Sequence, residues 1–173
     1  LWKTINNGLD WNPIFENMPS LGIGDIAIAP SNTEIIYVAT GESLKKARNF
    51  TMPGTGVYRS NNGGDTWAHI GLNDTWHIGE IVVHPNNPDI VLVAAQGHFW
   101  SSNENRGIFR TDDGGKSWNH VLFIDENTGA NDIVFSRANP KIVYATTWEN
   151  YPDVNGKKSA VYKSEDAGLV WNK

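Results

Sequence analysis

Cysteine is absent from this 173-residue chain. That excludes a disulfide scaffold, a cysteine-ligated zinc site and a thiol nucleophile. Basic side chains are few as well, 14 Lys and Arg against 19 Asp and Glu, for a formal net charge of -5. Nucleic acid is therefore not an expected partner, because tracking phosphates needs clustered cations that displace counterions. No apolar run approaches the roughly 18–20 residues that cross a bilayer, so no membrane span is expected in this segment. Sustained 3.6-residue apolar periodicity is missing, and so is any Walker-type or dinucleotide-binding glycine loop. No secretory leader is recognisable either; the chain starts at Leu1-Trp2-Lys3, inside a pattern that recurs further on.

Tryptophan, by contrast, is abundant, with 8 in the chain beside 17 glycines and 8 prolines. Half of the tryptophans close one repeated box. Segments 4–11 (TINNGLDW), 60–67 (SNNGGDTW), 111–118 (TDDGGKSW) and 164–171 (SEDAGLVW) share the template Ser/Thr-x-Asp/Asn-x-Gly-x-x-Trp. Trp11, Trp67, Trp118 and Trp171 follow one another at spacings of 56, 51 and 53 residues. Before each box stands an apolar-aromatic-basic triplet: Leu1-Trp2-Lys3, Val57-Tyr58-Arg59, Ile108-Phe109-Arg110 and Val161-Tyr162-Lys163. Earlier in each period, two short β-branched runs flank a Pro/Asn-rich join, in 25–40, 80–95 and 132–147. Such runs are strands and such joins are turns.

Each period thus reads as four antiparallel strands, A to D, with D beginning at the box tryptophan. A four-stranded unit recurring about every 50 residues is the sequence form of a β-propeller blade. The expected fold is all-β, a propeller of four-stranded antiparallel blades with about three and a half blades present. A β-solenoid is the runner-up, but its shorter rungs would not need a hairpin motif in every repeat. Residues 1–18 form the end of a blade, 25–70 and 79–122 are blades, and 131–173 is a blade lacking most of its last strand. Strands A and B read almost continuously apolar, as strands covered on both faces do. A ring of 4–8 blades needs about 210–420 residues, so the rest of a longer chain is expected to complete the propeller.

The box explains itself as a fastener. Its Asp/Asn side chain can hold the C–D turn, glycine supplies positive φ, and the indole covers the hairpin while its N–H seeks an acceptor. Asp113 and Asp166 are not expected to be catalytic, because Asn6 and Asn62 stand at the same position.

These four boxes resemble the Asp-box, or BNR, repeat of bacterial sialidases, xyloglucan-cleaving propeller glycosidases, sortilin-type receptors and photosystem II assembly factors. Stretches 71–100 and 103–118 are most similar to large secreted bacterial proteins with sortilin-like BNR propellers. The resemblance covers essentially the whole chain. It implies the blade and is silent on activity, since its bearers include enzymes, receptors and assembly factors.

In an antiparallel meander, A–B and C–D turns share one face, and B–C and D–A loops share the other. The second face carries the long connections: 41–55, 96–106 and 148–159 between B and C, and 72–78 and 124–131 between D and A. Long loops in a compact repeat exceed what connection requires, which makes this face the expected binding surface. Trp76, His77, His98, Trp100, Arg106, Trp148 and Glu149 are its candidate binding residues. Trp76, Trp100 and Trp148 have no repeat equivalent and are the expected anchors. Lys45, Lys46, Arg48 and Tyr151 fall on the same loops.

No catalytic constellation emerges. Arg59 and Arg110 are repeat positions, which leaves too few arginines for a sialidase-like carboxylate clamp. Glu42, Asp74, Glu104, Asp125 and Glu149 are candidate glycosidase acids, a chemistry that needs two carboxylates about 5–9.5 Å apart. His77, His84 and His98 have no metal-ligand spacing, and the stretch Asp125–Gly129 reads as a turn rather than a calcium loop. No metal or cofactor is expected. Asn49-Phe50-Thr51 and Asn73-Asp74-Thr75 match the glycosylation sequon, relevant only in a eukaryotic secretory pathway. The expected role is a binding module of a secreted, periplasmic or surface-located bacterial protein, with a glycan or protein partner. A segment of a polysaccharide-active glycoside hydrolase and an assembly scaffold are the alternatives.

Overall fold

A computed structural model describes residues 1–43, 51–149 and 157–173. Thirteen strands occur among them, all paired antiparallel: β1 (Trp2–Lys3), β2 (Asn12–Pro13), β3 (Ile23–Ile28), β4 (Ile36–Thr40), β5 (Val57–Ser60), β6 (Ala68–His69), β7 (Ile78–Val83), β8 (Val91–Ala95), β9 (Gly107–Thr111), β10 (Asn119–Leu122), β11 (Thr128–Phe135), β12 (Val143–Glu149) and β13 (Ala160–Ser164). One 3-10 turn, Asn73–Thr75, follows β6. The sheets run β1-β2, β3-β4-β5-β6, β7-β8-β9-β10 and β11-β12-β13, and an isolated Lys163–Asn172 bridge begins a fourth strand on the last. These are meander sheets of a partial β-propeller: a half-blade, then three blades in order.

The blades stack through alternate side chains of their inner strands. On β8, Val91 and Val93 join a core with Tyr37, Ala39 and Val57 of the first blade. Their neighbours Leu92 and Ala94 join a core with Ile133, Val143 and Tyr162 of the third. A strand packed on both faces must be apolar at every position, hence the unbroken run. Each of the larger side chains, such as Val91, Leu92 and Val93, contributes roughly 1.5–3 kcal/mol on burial.

The outward faces of the end blades depart from that expectation. Ile28 on β3 is 53 % exposed while its counterpart Val83 is 7 % exposed, because the preceding half-blade covers only the outer part of the first sheet. On the opposite side Val161 is 61 % exposed against 0 % for its counterpart Ile108, because no blade follows it among the described residues.

The four boxes are superposable in their bonds. In each, the first residue's hydroxyl accepts the fifth residue's N–H: Thr4 from Gly8 (2.9 Å), Ser60 from Gly64 (2.8 Å), Thr111 from Gly115 (2.9 Å) and Ser164 from Gly168 (2.9 Å). The third residue's Oδ1 accepts the seventh residue's N–H, at 2.9 Å in Asn6, Asn62 and Asp166 and 3.0 Å in Asp113. Asn and Asp perform this task equally, since only a carbonyl-type oxygen is needed. The fourth and fifth positions are both left-handed, for example Gly114 (φ 74) and Gly115 (φ 91), with Asn7 (φ 56) and Ala167 (φ 59) as the non-glycine exceptions at the fourth.

Neighbouring blades are tied at this end by one recurring bond. The basic residue of strand C donates to the fourth-position carbonyl of the next box: Lys3 to Gly63 at 2.7 Å, Arg59 to Gly114 at 3.1 Å, and Arg110 to Ala167 at 3.2 Å. Arg59 also pairs with Asp89 at 2.9 Å and lies over the Tyr37 ring. The Tyr37 hydroxyl donates to Pro88 O at 2.8 Å, and burial pushes its pKa up to about 12.

Strand A begins earlier than the sequence pattern indicates. Register shifts fall between Ile23 and Asp25, between Ile78 and Glu80, and between Ala130 and Asp132, so each blade carries a bulge at one repeat position. Gly24 and Gly79 occupy two of these bulges, where a Cβ would meet the Ile78 and Asn131 carbonyls of the next blade. Asp25 Oδ2 accepts the N–H of Ile81 beside the first bulge at 2.9 Å. Among the described residues no helix is long and apolar enough to cross a membrane.

Candidate functional site

The B–C and D–A loops meet on one face, knitted mainly through backbone. Gly54 N–H donates to Trp76 O at 2.6 Å, and Gln96 N–H donates to His77 O at 2.8 Å. His98 Nε2 donates to Asp74 O at 2.8 Å, and Asn103 N–H reaches Glu126 O at 3.0 Å. Ser102 donates to Asn127 Oδ1 at 2.7 Å, and Lys158 pairs with Asp125 at 2.5 Å. The described part of each B–C loop is thus braced by a D–A loop.

Trp76 follows the 3-10 turn with φ 54, a left-handed conformation that is strained for a bulky side chain. Its indole is 41 % exposed and stacks on the His98 imidazole, with centroids 3.8 Å apart and planes 23° apart. Trp100, two residues beyond His98, is 62 % exposed. The structure brings Trp76 and His98 together and leaves Trp100 exposed on the loop that carries His98.

Four other candidates are placed differently. His77 is buried, stacked on Phe99 at 4.1 Å, with Nδ1 donating to Glu42 O at 3.0 Å. Burial lowers its pKa to about 4, so the ring is neutral at pH 7. Arg106 is fully buried and donates to His98 O and to Ser101 O (3.2 Å), holding its own loop in shape. Burial brings its pKa down to about 10, against the opposing pull of Asp125. Neither side chain is presented to solvent, so the expectation that they form part of an exposed binding surface is corrected.

Trp148 and Glu149 are not in a loop. β12 runs on to Glu149, because the turn at 125–128 closes tightly and lets β11 start at Thr128, pairing with it. Asn127 N–H donating to Asp125 Oδ1 at 2.9 Å makes that turn. Trp148 is half-buried opposite Gly129. Lys45, Lys46, Arg48 and Tyr151 lie outside the described residues.

Most of the candidate acids hold loops. Glu42 Oε2 accepts Met52 N–H at 3.1 Å, and Glu149 Oε2 accepts Lys158 N–H at 3.1 Å. Asp125 is engaged by Lys158 and by Asn127, and these bonds outweigh its desolvation and lower its pKa. Asp74 and Glu104 are exposed. His84 sits away from this face at the A–B turn, edge-on to Phe135. Among the described residues no three His, Asp or Glu side chains gather as a metal site.

One repeated residue escapes the box template. His69 and His120 each stand two residues after a box tryptophan, pack on the strand-C aromatic (Tyr58 and Phe109), and donate Nε2–H to the Thr55 and Arg106 carbonyls at 2.8 and 2.7 Å. The shared spacing was the signal, weakened because Pro13 and Lys173 fill the position in the other repeats.

Box geometry, meander sheets and blade stacking define an Asp-box β-propeller. A model described as sortilin, neurotensin receptor 3 matches residues 55–173, and the chain belongs to this Sortilin-Vps10 family. Among solved structures, it is similar to the GH74 xyloglucanase from Xanthomonas campestris, at 20 % identity and TM-score 0.64, covering 99 % of this chain and 26 % of that one. The GH74 enzyme of Niastella koreensis gives 16 % identity and TM-score 0.62, with 99 % and 26 % covered. YCF48 from Cyanidioschyzon merolae gives 17 % identity and TM-score 0.53, covering 87 % of this chain and 36 % of that one. At these identities the likeness shows the fold, and the chain spans about a quarter to a third of those structures' lengths. No curated protein matches it by sequence.

Proposed function

We propose that this part of the propeller is a recognition module that binds a glycan or protein partner across its long-loop face. The observation that carries the reading is the partly exposed Trp76–His98 stack, with Trp100 exposed two residues beyond His98. The box tryptophans are accounted for by the scaffold, whereas these indoles are not, and exposed rigid aromatics are the usual anchors of recognition. Binding is favoured over hydrolysis because Glu42, Asp125 and Glu149 are engaged in bracing loops. The extracellular side, whether secreted, periplasmic or cell surface, is the location we assign by likeness to sortilin-type and xyloglucanase-type propellers.

The test uses the intact protein. Immobilised polysaccharides and a surface-exposed proteome are screened for capture, with Trp100→Ala and Trp76→Ala beside wild type. Each variant is expected to weaken capture about tenfold or more, on the order of a hot-spot loss. Capture that is unchanged in both variants overturns the reading.

A further inference from the structure

Trp76 sits at the centre of a γ-turn. Its φ of 54 and ψ of -49, with His77 N–H donating across it to Thr75 O at 2.5 Å, make the rare and strained form of that turn. The fold does not require the strain. The pairs that precede the bulge of each strand A are Ile23–Thr40, Ile78–Ala95 and Ala130–Thr147. Trp76 stands two residues before Ile78, so Leu21 and Thr128 are its counterparts in the neighbouring blades. Neither counterpart has a positive φ, and Thr128 opens β11 as an ordinary strand residue.

The strain is imposed by residues of other segments. Trp76 O is drawn into a cradle on the first blade, where it accepts Gly54 N–H at 2.6 Å. A Cβ on Gly41 would overlap that oxygen, and a Cβ on Gly54 would overlap the Thr40–Gly41 peptide, so both cradle positions need glycine. His98 grips the same turn from its own loop. Its Nε2 donates to Asp74 O at 2.8 Å while its ring stacks on the indole at 3.8 Å.

From this geometry we infer that the γ-turn is a mount that presents the Trp76 indole to a partner in one fixed pose, with Gly41, Gly54 and His98 as its positioning residues. The inference rests on the proposed recognition role and specifies how one of its anchors is held. Strain persists only where the surroundings over-determine it, and here the repeat offers an unstrained alternative at the same position. An anchor fixed before contact loses less conformational freedom on binding. Loosening the mount makes the binding pose a fraction of the population and weakens apparent affinity by that fraction.

Fluorine NMR of the intact protein labelled with 5-fluorotryptophan reads the pose, with the Trp76 line assigned by its loss in Trp76→Phe. His98→Ala and Gly41→Ala are each expected to displace the Trp76 line while that of Trp118, in the second blade's box, stays in place. Capture on the same polysaccharides and surface proteome should fall at least fivefold in both, in step with the displaced fraction. Lys116→Ala, at an exposed box position on the opposite face, should change neither reading. If the Trp76 line moves and capture holds within twofold, while Trp76→Ala loses capture, the mount is overturned and the recognition reading stands. A Trp76 line that stays put in His98→Ala overturns the mount as well, including where Gly41→Ala fails to fold. Capture retained by Trp76→Ala also overturns it, and the recognition reading then stands or falls with Trp100→Ala.

Discussion

Trp67 donates its indole N–H to the carbonyl of Ile14 in the preceding blade at 2.6 Å, and Trp118 does the same to Ile70 at 2.7 Å. For these two box tryptophans the acceptor is therefore supplied by the neighbouring blade. Trp171 instead donates to Gly168 O of its own box, at 3.2 Å. Replacing Trp118 by Phe keeps an aromatic body, strands a carbonyl at the blade interface and is expected to cost about 1–3 kcal/mol. Trp171→Phe leaves no interblade bond unmade and should cost less. Denaturant midpoints at unchanged m-values check the order; equal losses would show that the interblade bond carries no weight.

Arg59 joins three groups: the Asp89 carboxylate at 2.9 Å, the Gly114 carbonyl at 3.1 Å, and the Tyr37 ring. Its side chain is largely buried, so the guanidinium is shielded more than a surface cation. Arg59→Met should destabilise by about 2–3 kcal/mol, and Asp89→Ala by less. A double-mutant cycle is expected to give a coupling of about 1 kcal/mol. Purely additive losses would remove the ion pair from the account.

The box, the blade order and the sharing of one face by the B–C and D–A loops were legible because repetition supplies internal controls. Asn6 and Asn62 at the position of Asp113 already marked that carboxylate as structural, and the common 2.9–3.0 Å bond to the seventh residue gives the reason. What was not legible depends on distance through space. His77 and Arg106 are polar residues on long loops, and only the packing of Phe99 and of the loop's own carbonyls draws them inside. The extension of β12 to Glu149 follows from a tight turn in another segment, which no local pattern at Trp148 records. A cleft lined by residues between Met18 and Trp76, which share no motif, exists only once the half-blade and first blade are stacked.

Ala167 holds φ 59 at the box position where two other repeats have glycine. An L-residue there carries roughly 1–2 kcal/mol of steric strain, partly offset by the greater freedom of glycine in the unfolded chain. Ala167→Gly should therefore stabilise by about 0.5–1 kcal/mol, since its bonds to Arg110 and Lys141 use backbone atoms only. A rise in melting temperature checks this, and a fall would mean that Ala167 packs more productively than its dihedral implies.

His77 sets an acid limit on the long-loop face. Its Nδ1–H is given to Glu42 O, and its Nε2 lies 3.4 Å from the Thr51 hydroxyl, so a second proton would put a charge on a ring buried away from solvent. Burial accordingly lowers its pKa from 6.5 to about 4. Between those values the unfolded chain binds the proton and the folded chain does not, so stability rises with pH across the window. The contribution is fully present above pH 6.5 and is lost as pH falls toward 4, on the order of 3 kcal/mol. His84 and His120 are shifted in the same direction by burial and add to the slope. His77→Gln, which cannot titrate, should be less stable at pH 7 and show a visibly flatter fall in unfolding free energy between pH 6.5 and 4. Parallel pH profiles for the two proteins would assign the acid limit to other groups.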